Sequence, residues 1–141
     1  MTTPTANTNP ISPAAPASSW NANNILSANT AKDGTGTVET IHTAGADGAR
    51  VNKVRVLHKG TNVATVMRFF LNNGATNATA PNNALLAEAT IPANTVSEVA
   101  ASVPVEIALN VVLQAGYKIN YTIGTAVAAG HAVTCPDAGK Y

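Results

Sequence analysis

Six dipeptides ending in glycine, Asp33-Gly34, Asp47-Gly48, Lys59-Gly60, Asn73-Gly74, Ala115-Gly116 and Ala129-Gly130, cut the chain into short runs. Glycine at such points lets the backbone reverse tightly, and these dipeptides punctuate short segments rich in Val, Ile, Thr and Tyr. Candidate strands are 24–29, 36–43, 50–58, 62–71, 84–91, 105–113, 117–123 and 132–135. No sustained 3.6-residue period with caps occurs. VSEVAAS at 96–102 is the one candidate for a helical turn, and Pro92 and Pro104 confine it. The expectation is an all-β protein: an antiparallel, jelly-roll-like β-sandwich of about eight short strands.

Alternation tells which strands are covered on one side only. In RVNKVRVLH, Val54, Val56 and His58 share one face, and Lys53, Arg55 and Leu57 share the other. In YKINYTI, Tyr117, Ile119, Tyr121 and Ile123 face one way and Lys118, Asn120 and Thr122 the other, so this strand too is expected to be half-buried. NVATVMRFFL is apolar on both faces and belongs in the centre of a sheet or beneath a neighbouring subunit. If 63–72 and 82–91 form a hairpin around NNGATNATAPNN, Arg68 faces residue 86 or 87, with Glu88 diagonal to it. An Arg68–Glu88 ion pair is expected. The alternative is an arginine whose stem covers apolar surface while its head reaches water.

Residues 1–20 differ from the rest. They are Thr, Pro, Ala, Asn and Ser, with few large apolar residues before Trp20, a composition that cannot bury enough surface to offset the entropy of ordering. Pro4, Pro10, Pro13 and Pro16 bias this arm toward polyproline II. The domain plan is therefore a flexible or extended arm, 1–20, and a β-sandwich, 21–141. A chain of 141 residues can bury roughly 68% of its unfolded surface, enough for one core. The opening run lacks the basic and continuous apolar regions of a secretory signal, so no export signal is expected, and no stretch has the length of a membrane span.

Charge is scarce, 11% of residues where about 25% is usual. Eight Lys and Arg against seven Asp and Glu leave a net charge of +1, and the basic residues are scattered. Neither nucleic acid nor a membrane is an expected partner. Low charge removes the repulsion that keeps molecules apart, which suits a protein working in an assembly and is equally compatible with a plain soluble domain. The single cysteine, Cys135, excludes an intrachain disulfide, and assembly in a reducing cytoplasm fits.

Catalytic patterns fail their context. There is no G-x-S-x-G, and Cys135 lies in an apolar terminal strand beside Pro136, where an inert buried thiol is expected. His42, His58 and His131 are far apart in sequence. Glu39 and His42, an E-x-x-H, would point to opposite faces of a strand and could not share an ion. Asp33-Gly34-Thr35-Gly36 lacks the following helix and G-K-[ST] of a phosphate loop and reads as a turn, as does Asp47-Gly48. The sequons at Asn77 and Asn120 carry little weight without a secretory signal. No catalytic residue, metal or cofactor is expected. Trp20, Phe69, Phe70, Tyr117, Tyr121 and Tyr141 are the only aromatics, too few for a sugar-binding or base-stacking face. Phe69 and Phe70 read as core, and Trp20 and Tyr141 as candidates for contacting a partner.

From GADGARV at 45–51 through VMRFFL at 66–71, LAEATIP at 86–92, QAGYKI at 114–119 and the closing Tyr141, the order of motifs resembles small β-sandwich structural proteins of tailed bacteriophages, of the capsid decoration or cement type. It covers about residues 36–141. The ending Asp137-Ala138-Gly139-Lys140-Tyr141 departs from the Gly-Gly-Asp-Tyr-like tail of that group. The resemblance implies a virion protein on the capsid surface, assembled in the host cytoplasm. Its partner would be the major capsid protein, and it would act as a small homo-oligomer with a trimer favoured. Pro10, Ile11, Pro13, Trp20 and Tyr141 are then the expected capsid or subunit contacts. The competing readings are a tail or neck component, and a receptor- or glycan-binding β-sandwich.

Overall fold

The computed structural model describes residues 25–140. Seven strands, β1 (Glu39–Thr43), β2 (Ala49–His58), β3 (Thr65–Asn72), β4 (Asn83–Ile91), β5 (Val105–Leu113), β6 (Lys118–Ile123) and β7 (His131–Lys140), form two antiparallel sheets. Their orders are β1-β6-β3-β4 and β5-β2-β7. The sheets pack face to face as a β-sandwich, as the turn spacing predicts. Ile41, Val51, Val54, Met67, Phe69, Ile91, Ile119, Tyr121, Ile123 and Val133, all at most 1% exposed, lie in the core between them. No helix among the described residues is long and apolar enough to cross a membrane.

Several boundaries differ from expectation. Of the expected strand 24–29, residues 25–29 are irregular, though Leu26 and Asn29 bond through their backbone to Val127 and Ile123 at the end of β6, and the chain up to residue 38 forms no strand. Asn29 N–H donates to Ile123 O (2.7 Å), Arg68 Nη1 donates to Asn29 O (3.5 Å), and Asn83 Nδ2 donates to Asp33 O (3.1 Å). The segment therefore lies across the outer face of the four-stranded sheet. That face carries Phe70, fully buried yet outside the core cluster. NVATVMRFFL is apolar on both sides because β3 is central and the chain covers its outer face itself. β6 is corrected for the same reason: Asn120 and Thr122 are as buried as Ile119 and Tyr121, because β6 lies between β1 and β3 with both faces covered. Thr40 Oγ1 donates to Asn120 Oδ1 at 2.7 Å, and so offsets the cost of burying that amide.

Residues 96–102 form no helical turn but part of an irregular connection between β4 and β5. β7 runs on through Pro136, which a strand tolerates because β7 is an edge and the register with β2 shifts between Arg55↔Thr134 and Lys53↔Asp137. A second bulge opposite the same part of β2 puts Asn110 of β5 at φ 49°, a left-handed conformation that asparagine accepts.

A third bulge sets the β3–β4 register. Asn72 pairs with Asn83 and Phe70 with Leu85, but Phe69 pairs with Ala87, so Leu86 is the extra residue. The one-residue shift brings Glu88 directly opposite Arg68 instead of diagonal to it, with Arg68 Nε 2.5 Å from Glu88 Oε1. The guanidinium is 10% exposed and the carboxylate 41%. Glu88→Gln leaves a buried cation short of its counter-charge and is expected to cost about 1–2 kcal/mol in urea unfolding. Arg68→Met added to Glu88→Gln is expected to recover most of the loss, because both desolvated charges are then gone. A double variant less stable than the single would disprove this.

Candidate functional site

One end of the sandwich collects the loops that chemistry or binding would need. β2 ends there at His58, β3 starts at Thr65, β4 ends at Ile91, β6 ends at Ile123 and β7 starts at His131. The intervening loops, 59–64, 92–104 and 124–130, meet at this end, and Asn62 ties them together. Its backbone exchanges two hydrogen bonds with Asn94, both 2.9 Å. Its side chain bridges to the third loop: Nδ2 donates to Gly130 O at 2.7 Å, and Ala129 N–H donates to Oδ1 at 2.8 Å. Thr65 repeats the device with Thr125, its hydroxyl donating to the carbonyl and accepting from the N–H. Val96 N–H donates to Thr61 Oγ1 at 3.2 Å.

These bonds hold open a groove of about 560 Å³ lined by residues 61–63, residues 93–95, Ala126 and Ala128. Its lining is threonine, asparagine, alanine and valine, with no ionisable side chain.

Beside the groove the surface is apolar. Among the described residues, five of the eight exposed large apolar side chains, Leu85, Val96, Val99, Val103 and Val112, fall between Asn83 and Leu113. Val96, Val99 and Val103 are on the connection 92–104, beside the groove, whereas Leu85, opposite Phe70, and Val112, opposite Arg50, lie on the outer faces of the two sheets. Val99 is 97% exposed and Val103 77%. Residues 83–113 include three acidic residues and no basic one. Glu88 is held by Arg68. Glu106 accepts from Lys53 Nζ (3.1 Å) and Arg55 Nη2 (2.7 Å), which hold its carboxyl below the usual range. Glu98 makes no ion pair among the described residues. β4 is an edge strand with neither lysine nor proline, and its bulge at Leu86 is what interrupts that edge.

The structure brings together two histidines that are far apart in sequence. His58 and His131 pair across β2 and β7, with ring centroids 5.0 Å apart. Neither His58 Nδ1 nor His131 Nε2 has a hydrogen-bond partner. Burial pushes His131 down to about 4, with His58 adding to the effect, and burial also lowers His58. His42 is buried at the far sheet, likewise lowered by burial, so it does not join the pair. Two histidines alone do not complete a metal site, and the described residues hold no group of three or more His, Cys, Asp or Glu able to bind an ion. Cys135 is buried in β7. Asp33 accepts from Thr35 N–H and Oγ1, which closes the Asp33–Gly36 turn and lowers the carboxyl.

Of the residues singled out from sequence, Arg68 and Glu88 lie within the four-stranded sheet, away from the groove. Pro10, Ile11, Pro13, Trp20 and Tyr141, and with them the arm 1–20, lie outside the described residues. Asn62, the groove and the histidine pair carried no local signal, because each forms only when strands distant in sequence pair.

The described residues thus define an all-β sandwich with a neutral groove and, beside it, a connection at 92–104 that exposes three valines. No family model matches the chain, and no curated protein or solved structure does.

Proposed function

We propose that the chain is a virion structural protein of a tailed bacteriophage, a decoration protein that binds the major capsid lattice from outside and stabilises the head as a small homo-oligomer, with a trimer favoured. The motif order from residue 45 to Tyr141 suggests the setting. The observation that carries the reading is the connection 92–104, where Val96, Val99 and Val103 are exposed on a segment whose one charge is Glu98. Such a surface loses little on desolvation and meets a copy of itself or a neutral lattice without strong repulsion. A ligand that binds only the assembled lattice stabilises it by mass action, and many copies on one particle multiply the effect.

The test is co-sedimentation with expanded heads that lack the protein. The protein is expected to pellet with the heads and to raise their resistance to heating. Val99→Asp with Val103→Asp is expected to leave the melting of the free protein within about 0.5 kcal/mol, because both side chains are exposed, and to weaken head binding at least tenfold. Failure of the unaltered protein to bind heads would overturn the capsid role and bring forward the tail or neck and glycan-binding readings. A glycan array separates the last of these.

A further inference from the structure

We propose that His58 and His131 form a zinc-binding pair, each ring giving one nitrogen to the ion and water completing its shell. This goes beyond the assembly reading and does not depend on it.

The first argument is geometry. The two residues are direct partners where β2 ends and β7 begins. Lys59 N–H donates to Gly130 O at 3.2 Å, so residues 59 and 130 are the hydrogen-bonded pair, and His58 and His131 are the non-bonded pair beside it. Side chains come closest at such a pair, and here the ring centroids are 5.0 Å apart. With zinc about 2.0–2.1 Å from each ring nitrogen, two imidazoles on one ion have centroids about 5.2 Å apart at the tetrahedral angle and about 4.5 Å apart at a right angle. The spacing of this pair lies nearer the tetrahedral value, and tetrahedral is the geometry zinc takes.

The second argument is the state of the nitrogens. His58 Nδ1 and His131 Nε2, one on each ring, are both buried without a hydrogen-bond partner. A buried polar atom left so is costly, and one ion bound by both rings would satisfy the two at once. Burial favours the neutral form of both imidazoles, and only that form ligates a metal. His131 is 2% exposed, whereas His58 is half-buried at the end of its strand, which leaves a way in for the ion and for water. The described residues bring no third His, Cys, Asp or Glu to the pair. Water therefore takes the remaining positions, and the affinity is micromolar, well short of a structural site with four protein ligands.

The experiment strips the full chain of metal with a chelator, titrates it with zinc chloride at about pH 7.5 in a calorimeter, and follows the ring nitrogens of the three histidines by NMR. The expected result is one zinc per chain, with signals moving at His58 and His131 but not at His42, which is buried at the far sheet. The melting temperature should rise with zinc concentration. His131→Phe and His58→Phe are each expected to weaken binding at least tenfold, because each leaves a single protein ligand. Should His131→Phe fail to fold, His58→Phe, at the half-buried position, decides alone. No binding by the unaltered chain would overturn the proposal. Binding that leaves the His58 and His131 signals unmoved, or that survives His58→Phe, would overturn it as well. One zinc per two chains with dimers appearing would also do so, since the ion would then join histidines of two copies.

Discussion

Acidifying the protein from about pH 7.5 to about pH 4.5 is expected to remove about 2–3 kcal/mol of stability, through His131 above all. In the folded chain this imidazole is pushed down to about 4 from an ordinary 6.5, because it is buried and has His58 beside it. A depressed folded value means that the unfolded chain binds the proton first. No stability is lost well above pH 6.5, where both states are neutral. The loss grows as pH falls through 6.5 and saturates near the folded value of about 4. His58 and His42, both lowered by burial, act in the same direction. Asp33 and Glu106 are lowered too, but their ordinary values, 3.8 and 4.5, put most of their effect at more acid pH, so the interval above about 4.5 belongs to the histidines.

For a domain of this size the loss corresponds to roughly 10 °C in melting temperature. Thermal melts at several pH values check it, with His131→Phe as the companion variant. The phenyl ring cannot be protonated and removes the partnerless Nε2, so the pH slope should flatten to what His42 and His58 supply. A native protein whose melting is level across this interval, or a variant with the native slope, would refute the argument.

The reason this pair was hidden and much of the fold was not lies in the range of the interactions. RVNKVRVLH declares its buried face because alternation is a property of neighbouring residues, and Val54 and Val56 are buried while Leu57 is exposed, as read. YKINYTI alternates just as clearly, yet both faces are covered, because the segment from Asn29 to Asp33 crosses the outer face, which no local pattern in β6 could announce. The Arg68–Glu88 contact was legible from the hairpin, but its register was one residue off. A bulge at Leu86 leaves no mark in an apolar run such as Ala84-Leu85-Leu86-Ala87. His58 and His131 meet only because β7 closes against β2, a pairing across more than half the described chain.

The asparagine-rich stretch is a further case. NNGATNATAPNN, the turn of the β3–β4 hairpin, carries no charge, and its amides are committed within the chain. Asn72 Nδ2 donates to Asn83 Oδ1 (2.9 Å), Asn82 Nδ2 to Thr76 O (2.8 Å), and Asn77 Nδ2 reaches the carbonyls of Gly34 and Gly36. Asparagine is abundant here because its amide can both donate and accept, standing in for backbone where no regular ladder continues.

The same use of an amide carries the largest expected effect of one substitution. Asn62→Ala is expected to destabilise the protein by roughly 2–4 kcal/mol, because one buried and one partly buried hydrogen bond go at once. Asn62 is 3% exposed. Its loss leaves Ala129 N–H without an acceptor, and Gly130 O keeps only the longer bond from Lys59 N–H at 3.2 Å. Asn94 is the internal control. It forms the other half of the same backbone bridge, but its Nδ2 is buried with no partner, so Asn94→Ala removes no bond and is expected to cost under about 1 kcal/mol. The damage should also be local before it is global. With the loops at 59–64 and 124–130 untied, backbone amides there should exchange hydrogen faster in Asn62→Ala while those of β3 and β6 keep their protection. Chemical unfolding of the two variants with hydrogen exchange by mass spectrometry measures both. Equal costs for Asn62→Ala and Asn94→Ala would mean that the backbone bridge, and not the Asn62 amide, holds this end of the sandwich together.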